Sequence, residues 1–225
     1  MTGFTRTVQA VVLTSLAALT LSACAPLLVG GAATGVLVAT DRRTSGAQLE
    51  DQAIELKSAK QISAAVGNRG HINVTSFNRR VLISGEVPSA NDKASVANAI
   101  STTENVQLVV NELTVGGNAS LADRARDTLV TTRVKALLID AKDLQSSAIK
   151  VVTERGSVYL MGIVTQREAD RASDIASATS GVQRVVRLFE VISEAELKRI
   201  VPPPPPKPAE VKTQPVVTNL VTEVK

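Results

Sequence analysis

The chain is poor in the residue types on which many catalytic and metal sites depend. Its 225 residues include no Trp, one Tyr, three Phe, one Cys and one His. A single Cys and a single His exclude most metal sites and most Cys/His nucleophile pairs. Because aromatic residues are scarce, Val, Ile, Leu and Ala must fill the core. A domain of about 65 residues built in this way is marginally stable alone, so we expect domains to pack together.

The charge of the chain is mildly basic and dispersed. The formal net charge is +4 and the pI is about 9.4, which suits an anionic partner. No dense cluster of Lys and Arg alternates with aromatic residues, so we expect no binding of nucleic acid. No nucleophile–base pair, paired carboxylates or cofactor motif can be assembled from the sequence. We therefore expect no enzymatic activity, no cofactor and no metal ion.

Residues 1–23 have the features of a signal peptide. Arg6 supplies a positive charge, and the apolar segment from Val8 to Leu21 is too short for a comfortable membrane span. The segment ends in Leu21-Ser22-Ala23-Cys24, which resembles the lipobox of bacterial lipoproteins and contains the chain's one cysteine. This resemblance implies that Cys24 carries lipid and begins the mature chain. The alternative is an ordinary signal peptide with an unmodified cysteine.

Residues 24–47 are predicted to be a tether. Their first part is rich in Gly, Ala and Val, and their last part is polar. Three glycines interrupt the apolar part, which disfavours a second transmembrane helix. Ala25 follows the cysteine. In lipoproteins of enteric-type bacteria an Asp at this position retains the protein in the inner membrane, so the lipobox resemblance implies delivery to the outer membrane.

An internal duplication organises the rest of the chain. The apolar segments Val81–Val87 and Val158–Val164 each carry one glycine at the same place, 77 positions apart. Each segment is followed by a polar helix start and then by a matched strand, which begins at Val106 in the first copy and at Val182 in the second. The spacing shifts by only one residue between these matches. The sequence therefore predicts two small domains in tandem.

Hydrophobic periodicity predicts the order α-β-β-α-β in both copies, over residues 48–116 and 121–192. Asn78-Arg79 and Arg155-Gly156 are predicted to be tight hairpin turns. For the helix over Gln48–Val66 we expect an apolar stripe of Leu49, Ala53, Leu56, Lys60 and Ala64, filled in by Ile54 and Ile62. His71 opens a strand beside a turn, which favours a surface position over a catalytic role. The glycines Gly85 and Gly162 indicate a close backbone approach or a bulge, since neither lies in a phosphate-binding loop.

This pattern resembles a known family. Paired strands ending in V-x-L-x-G-x-V, an Ala-rich helix and a strand beginning G-V-x-x-V are similar to the BON domain of bacterial periplasmic and outer-membrane proteins. The match is most specific over Tyr159–Ala169. A lipobox followed by two such domains resembles the dual-BON outer-membrane lipoproteins. The resemblance implies an α+β fold of two tandem BON domains, each with a three-stranded mixed sheet packed on two helices.

The resemblance also implies that the first helix of the second domain contacts anionic phospholipid and that the protein supports outer-membrane integrity. On a helical wheel of Leu121–Ala141, the core stripe contains Val130, Val134, Leu137, Leu138 and Ala141. The opposite face is apolar and lies between cationic residues, an arrangement suited to a membrane surface. The candidate phospholipid-binding residues are Arg124, Arg126, Leu129, Arg133, Lys135 and Ala136. Relatives carry an aromatic residue near the position of Leu129, so we expect weaker anchoring here.

Two alternatives stay open at this point. Leu129 and Ile139 are also suited to packing against the first domain, in which case the neighbouring cations are merely solvated. The same outward face also suits a scaffold that binds an envelope protein, such as the outer-membrane assembly machinery. Residues 193–225 are predicted to be a Pro-rich disordered tail, which begins with a short capped helix over Ser193–Val201.

Overall fold

The computed structural model describes residues 41–201. This range contains two copies of one α-β-β-α-β arrangement, an α+β fold with both parallel and antiparallel strand pairs in each sheet. The predicted signal peptide, Cys24, the tether up to residue 40 and the segment 202–225 lie outside the described residues.

The first domain packs two helices on a mixed sheet. Its elements are α1 (Ser45–Val66), β1 (His71–Phe77), β2 (Arg80–Val87), α2 (Ala90–Ser101), β3 (Leu108–Asn111) and β4 (Thr114–Val115). β1 and β2 form an antiparallel hairpin, and β3 and β4 both pair parallel to β2. The sequence predicts one unbroken third strand here. The strand is split because Leu113 is buried in the core and its N–H bonds to the side chain of Asn111.

The second domain repeats this arrangement with an unbroken last strand. Its elements are α3 (Leu121–Asp140), β5 (Ile149–Glu154), β6 (Ser157–Thr165), α4 (Gln166–Ala178) and β7 (Arg184–Ile192). β5 and β6 are antiparallel, and β7 pairs parallel to β6 along its whole length. A last helix, α5 (Glu194–Ile200), follows with Ser193 as its N-cap, as the sequence predicts.

Both hairpins turn at the predicted residues. Asn78, Arg79, Arg155 and Gly156 all have positive φ angles, as a two-residue type I′ turn requires. A buried aspartate on the first helix of each domain holds the turn. Asp51 accepts hydrogen bonds from both turn N–H groups of the first domain at 2.7 and 2.8 Å. In the second domain, Asp127 of α3 accepts the same pair of hydrogen bonds from the turn N–H groups. The duplication therefore extends to side-chain contacts.

The glycines at the centre of the duplication occupy equivalent positions. Gly85 and Gly162 each lie opposite an isoleucine near the start of the preceding strand. A Cβ added at either position would collide with the carbonyl oxygen of the residue before that isoleucine. Close backbone approach is therefore the reason for both glycines. Val106 and Val182 also match, since each lies two residues before the strand and bonds to a threonine carbonyl three residues earlier.

The two sheets pack face to face. Phe77 and Leu82 from the first domain form one buried cluster with Tyr159, Met161 and Ile163 from the second. The other face of each sheet packs on its own helices in a separate core. Because β2 and β6 are buried on both faces, they consist of nearly continuous apolar residues. The expectation that the domains pack together is confirmed.

The sequence prediction for the buried face of α1 is confirmed for Ile54 and Ile62 and wrong for most of the rest of the predicted stripe. Leu49 and Leu56 are 68% and 74% exposed, and Lys60 and Ala64 are exposed as well. The buried residues are Asp51, Ile54, Ser58, Ile62 and Val66. Apolar spacing selects the wrong face because two positions on the buried face are polar. Asp51 is buried there because its carboxylate binds the hairpin turn.

The short segment before α1 contacts both domains. Arg42 is buried, and its guanidinium forms two hydrogen bonds of 2.7 Å with the carboxylate of Glu168 near the start of α4. The same guanidinium donates to the carbonyl oxygen of Ile163 at 2.8 Å. Arg43 meanwhile pairs with Asp51 of α1 at 2.8 Å. Adjacent residues thus connect the end of the predicted tether to both domains.

Candidate functional site

The helix α3 is held at both its start and its buried face. Ser120 caps the helix and forms a reciprocal capping box with Asp123, which satisfies N–H groups that the first turn leaves free. Val130, Val134 and Leu138 anchor the buried face in the core of the second domain. The opposite face of α3 does not contribute to this core.

The predicted outward face of α3 is exposed. Leu129 and Ile139 are 56% and 68% exposed, and Ala125 and Ala136 are exposed beside them. These side chains therefore do not pack against the first domain, which removes that alternative. Leu137, predicted to be in the core, is 44% exposed. It lies at the edge of the buried stripe.

The predicted cationic residues differ in how free they are. Arg126 pairs with Asp123 at 2.7 Å on the surface, and Arg133 donates a long bond of 3.4 Å to the carbonyl oxygen of Ser180. Lys135 is exposed and has no ion pair with another residue of the described range. Arg124 is only partly exposed, and its Nε is buried. The hydrogen bonds from Ser120, with the charge of Arg126, hold the pKa of Asp123 below its ordinary value.

A cleft lies beside the amino-terminal half of α3. It has a volume of about 440 Å³, and Arg126, Leu129 and Arg133 from the predicted site all line it. Arg155, from the turn between β5 and β6, also lines the cleft and is not among the predicted site residues. Arg155 is brought here because Asp127 accepts the N–H groups of that turn at 2.8 Å. Lys135, Ala136 and Arg124 do not line the cleft.

The structure therefore groups the predicted residues into two parts. Arg126, Leu129 and Arg133 line one cleft with Arg155. Lys135 and Ala136 lie on the exposed face of α3 with Ile139, whereas Arg124 is half-buried. Cys24, the predicted lipidation site, lies outside the described residues. Among residues 41–201, no helix combines the length and apolar character that crossing a membrane demands.

Comparison with known proteins gives consistent matches. The sequence pattern of the BON domain matches residues 50–117 and 126–193. Outer membrane lipoprotein DolP of Haemophilus influenzae is 37% identical over 174 residues, which cover 76% of this chain and 90% of that protein. The 21 kDa hemolysin of Actinobacillus pleuropneumoniae is 29% identical over 68% of this chain and 79% of its own length. Osmotically-inducible protein Y of Escherichia coli is 31% identical over 61% of this chain and 70% of its own length.

Proposed function

The chain belongs to the BON domain family, and we propose that it is a lipid-anchored outer-membrane protein that binds anionic phospholipid and supports membrane integrity. Two BON domains and the similarity to outer membrane lipoprotein DolP support the outer-membrane association. The periplasmic side, the lipid anchor at Cys24 and the phospholipid site belong to the proposal. The proposed activity is non-enzymatic.

The observation that carries the proposal is the outward face of α3. Leu129 and Ile139 are large apolar side chains that the fold leaves in solvent, although the same helix has a well-packed inner face. Arginines and a lysine border them. At a membrane surface such apolar side chains enter the acyl boundary while cations meet lipid phosphates. The energetic cost of exposing these leucine and isoleucine side chains is then relieved by the bilayer.

The cleft beside α3 supplies a place for a phosphate group. Arg126, Arg133 and Arg155 line it together with Leu129. Two carboxylates also line it, but Asp123 pairs with Arg126 and Asp127 accepts the turn N–H groups. Guanidinium groups form paired hydrogen bonds with phosphate oxygens, and Leu129 at the rim is positioned to contact the start of an acyl chain. We propose that a headgroup phosphate binds among these arginines while the rest of the outward face rests on the bilayer.

Vesicle cosedimentation tests this function. Residues 41–201 omit the apolar segment near Cys24, so binding by this form reports the folded domains. We expect it to sediment with vesicles of mixed phosphatidylglycerol and phosphatidylcholine, to stay in solution with phosphatidylcholine alone, and to be released by salt. If the folded protein binds neither kind of vesicle, the phospholipid proposal is overturned and a protein scaffold is favoured.

Replacing Leu129 by Asp is expected to weaken vesicle binding about tenfold, because the change removes an inserting side chain and adds a charge that anionic lipid repels. The fold should be unchanged, since Leu129 is exposed. Leu56→Asp on the exposed face of α1 is the matched control and should bind as wild type does. Circular dichroism checks the fold of both variants. Equal binding by the two variants would place the membrane contact elsewhere.

Replacing Cys24 by Ala is expected to prevent lipidation and to leave either an uncleaved chain or a soluble one. Lipid anchoring depends on buried acyl chains, each methylene contributing about 0.8 kcal/mol. Intact-mass measurement of the wild-type membrane fraction should show a chain that begins at a lipid-modified Cys24. An unmodified Cys24 in that fraction would refute the anchor.

A further inference from the structure

Three titratable side chains converge where the two domains meet. His71 and Glu86 lie opposite each other in the β1–β2 register, and Glu154 ends β5 of the second domain. One ligand atom from each residue lies within 4.8 Å of the other two. His71 Nδ1 and Glu86 Oε2 are 3.6 Å apart, too far for a hydrogen bond.

Two of these ligand atoms are buried without a hydrogen-bond partner. Glu86 is completely buried, and neither its Oε2 nor His71 Nδ1 is bonded to any other group in the described range. Two other carboxylate oxygens of the cluster have partners. Arg155 lies 3.4 Å from Glu86 Oε1, and the Asn73 amide donates to one oxygen of Glu154 at 3.1 Å. A buried carboxylate oxygen with no partner in the protein is costly unless a water molecule or an ion binds it.

The cluster also breaks the internal repeat. The positions equivalent to His71, Glu86 and Glu154 in the other copy are occupied by Ala148, Ile163 and Phe77. All three equivalents are apolar, as buried positions usually are. The polar groups therefore do not come from the shared architecture of the domain.

We propose that His71, Glu86 and Glu154 form a binding site for a divalent transition-metal ion of the Zn²⁺ type. One imidazole nitrogen and two carboxylates are ligands that suit Zn²⁺ better than Mg²⁺ or Ca²⁺. Tetrahedral ligands at about 2.1 Å from zinc lie roughly 3.4 Å from one another, close to the 3.6 Å between His71 and Glu86. Glu154 closes the remaining gap by a small movement, and water takes the fourth position.

Such an ion would join the two domains. Two ligands come from the hairpin of the first domain and one from the hairpin of the second, so the ion spans the sheet interface. Glu154 also lines a polar cleft of about 410 Å³ between the domains, which provides a route for the ion. The three proposed ligands include no residue of the proposed phosphate cleft, although Arg155 contacts Glu86 and also lines that cleft. This inference therefore does not rest on phospholipid binding.

Zinc titration of the untagged full chain in detergent tests the inference. After treatment with a chelator, calorimetry should show one Zn²⁺ bound per chain, and Mg²⁺ should not compete. At a hundredfold excess over Kd the melting temperature should rise by roughly 5–10 °C. His71→Gln, Glu86→Gln and Glu154→Gln should each weaken zinc binding at least about tenfold. Glu112→Gln, which alters another interdomain carboxylate, should bind zinc as wild type does.

X-ray absorption of the zinc-loaded wild type keeps the test independent of how the variants fold. Since the chain has one histidine, we expect one imidazole among nitrogen and oxygen ligands. A wild-type chain that binds no zinc, a spectrum without imidazole, or folded cluster variants that bind zinc undiminished would each overturn the proposal.

Discussion

Reversing two charges on α3, with Arg126→Glu and Arg133→Glu combined, is expected to weaken binding to anionic vesicles by about a hundredfold. Each basic group near an anionic surface contributes on the order of 1 kcal/mol, and each introduced glutamate adds repulsion. Both arginines are exposed and line the same cleft. Arg126 must leave Asp123 to meet a phosphate, so Arg133 should account for the larger share. Cosedimentation over a range of lipid concentrations measures the loss.

The control for this prediction must carry the same change in net charge. Lys57→Glu with Lys60→Glu alters the exposed part of α1 in the first domain, where Lys57 makes a solvent-exposed pair with Glu104. If binding depends on the α3 face, this control keeps most of its affinity. An equal loss in both double variants would mean that the membrane responds only to overall charge.

Replacing Arg42 by Met is expected to lower the free energy of unfolding by about 3 kcal/mol, which corresponds to a fall of roughly 6–12 °C in melting temperature. The substitution leaves the buried carboxylate of Glu168 without its two 2.7 Å bonds from Arg42. Arg187→Met is the matched control, because Arg187 pairs with Asp170 at the same 2.7 Å but in solvent. An exposed pair contributes at most about 1 kcal/mol. Similar losses in the two variants would contradict this account of the buried pair.

The contribution of Arg42 should also depend on pH. Burial alone would raise the pKa of Glu168, but hydrogen bonds from Arg42 and the Thr165 N–H outweigh it and lower that pKa. A carboxyl with a depressed pKa in the folded state stabilises the fold above its unfolded pKa of about 4.3 and loses that effect as pH falls further. The difference between wild type and Arg42→Met should therefore shrink below about pH 4. Urea unfolding at several pH values measures it.

The repeat, the hairpins and the exposed face of α3 could be predicted from the sequence because each depends on local patterns. Gly85 and Gly162 mark equivalent strands, and Asn78-Arg79 is a recognisable turn. The buried face of α1 could not be predicted in the same way. Asp51 is buried to bind a turn 27 residues later in the chain, and hydrophobic periodicity counts such a residue as exposed.

Contacts between distant segments account for the other differences. Arg42 belongs to the segment predicted to be a polar tether, yet it binds Glu168, which lies 126 residues later in the sequence. Arg155 joins the cleft only because the hairpin turn folds back onto α3. His71, Glu86 and Glu154 are far apart in sequence, and their spacing matches no metal-binding motif. The sequence predicts a surface position for His71, but it is partly buried, with 28% of its side chain exposed.

The most direct test of the membrane face uses the absence of tryptophan from the chain. Leu129→Trp introduces a single indole on the outward face of α3, and Leu56→Trp introduces one on α1 as a control. With vesicles containing phosphatidylglycerol, the emission of Leu129→Trp should shift to the blue and be quenched by brominated acyl chains, while that of Leu56→Trp stays unchanged. Vesicle binding without any change in the Leu129→Trp emission would contradict the proposed membrane contact of α3.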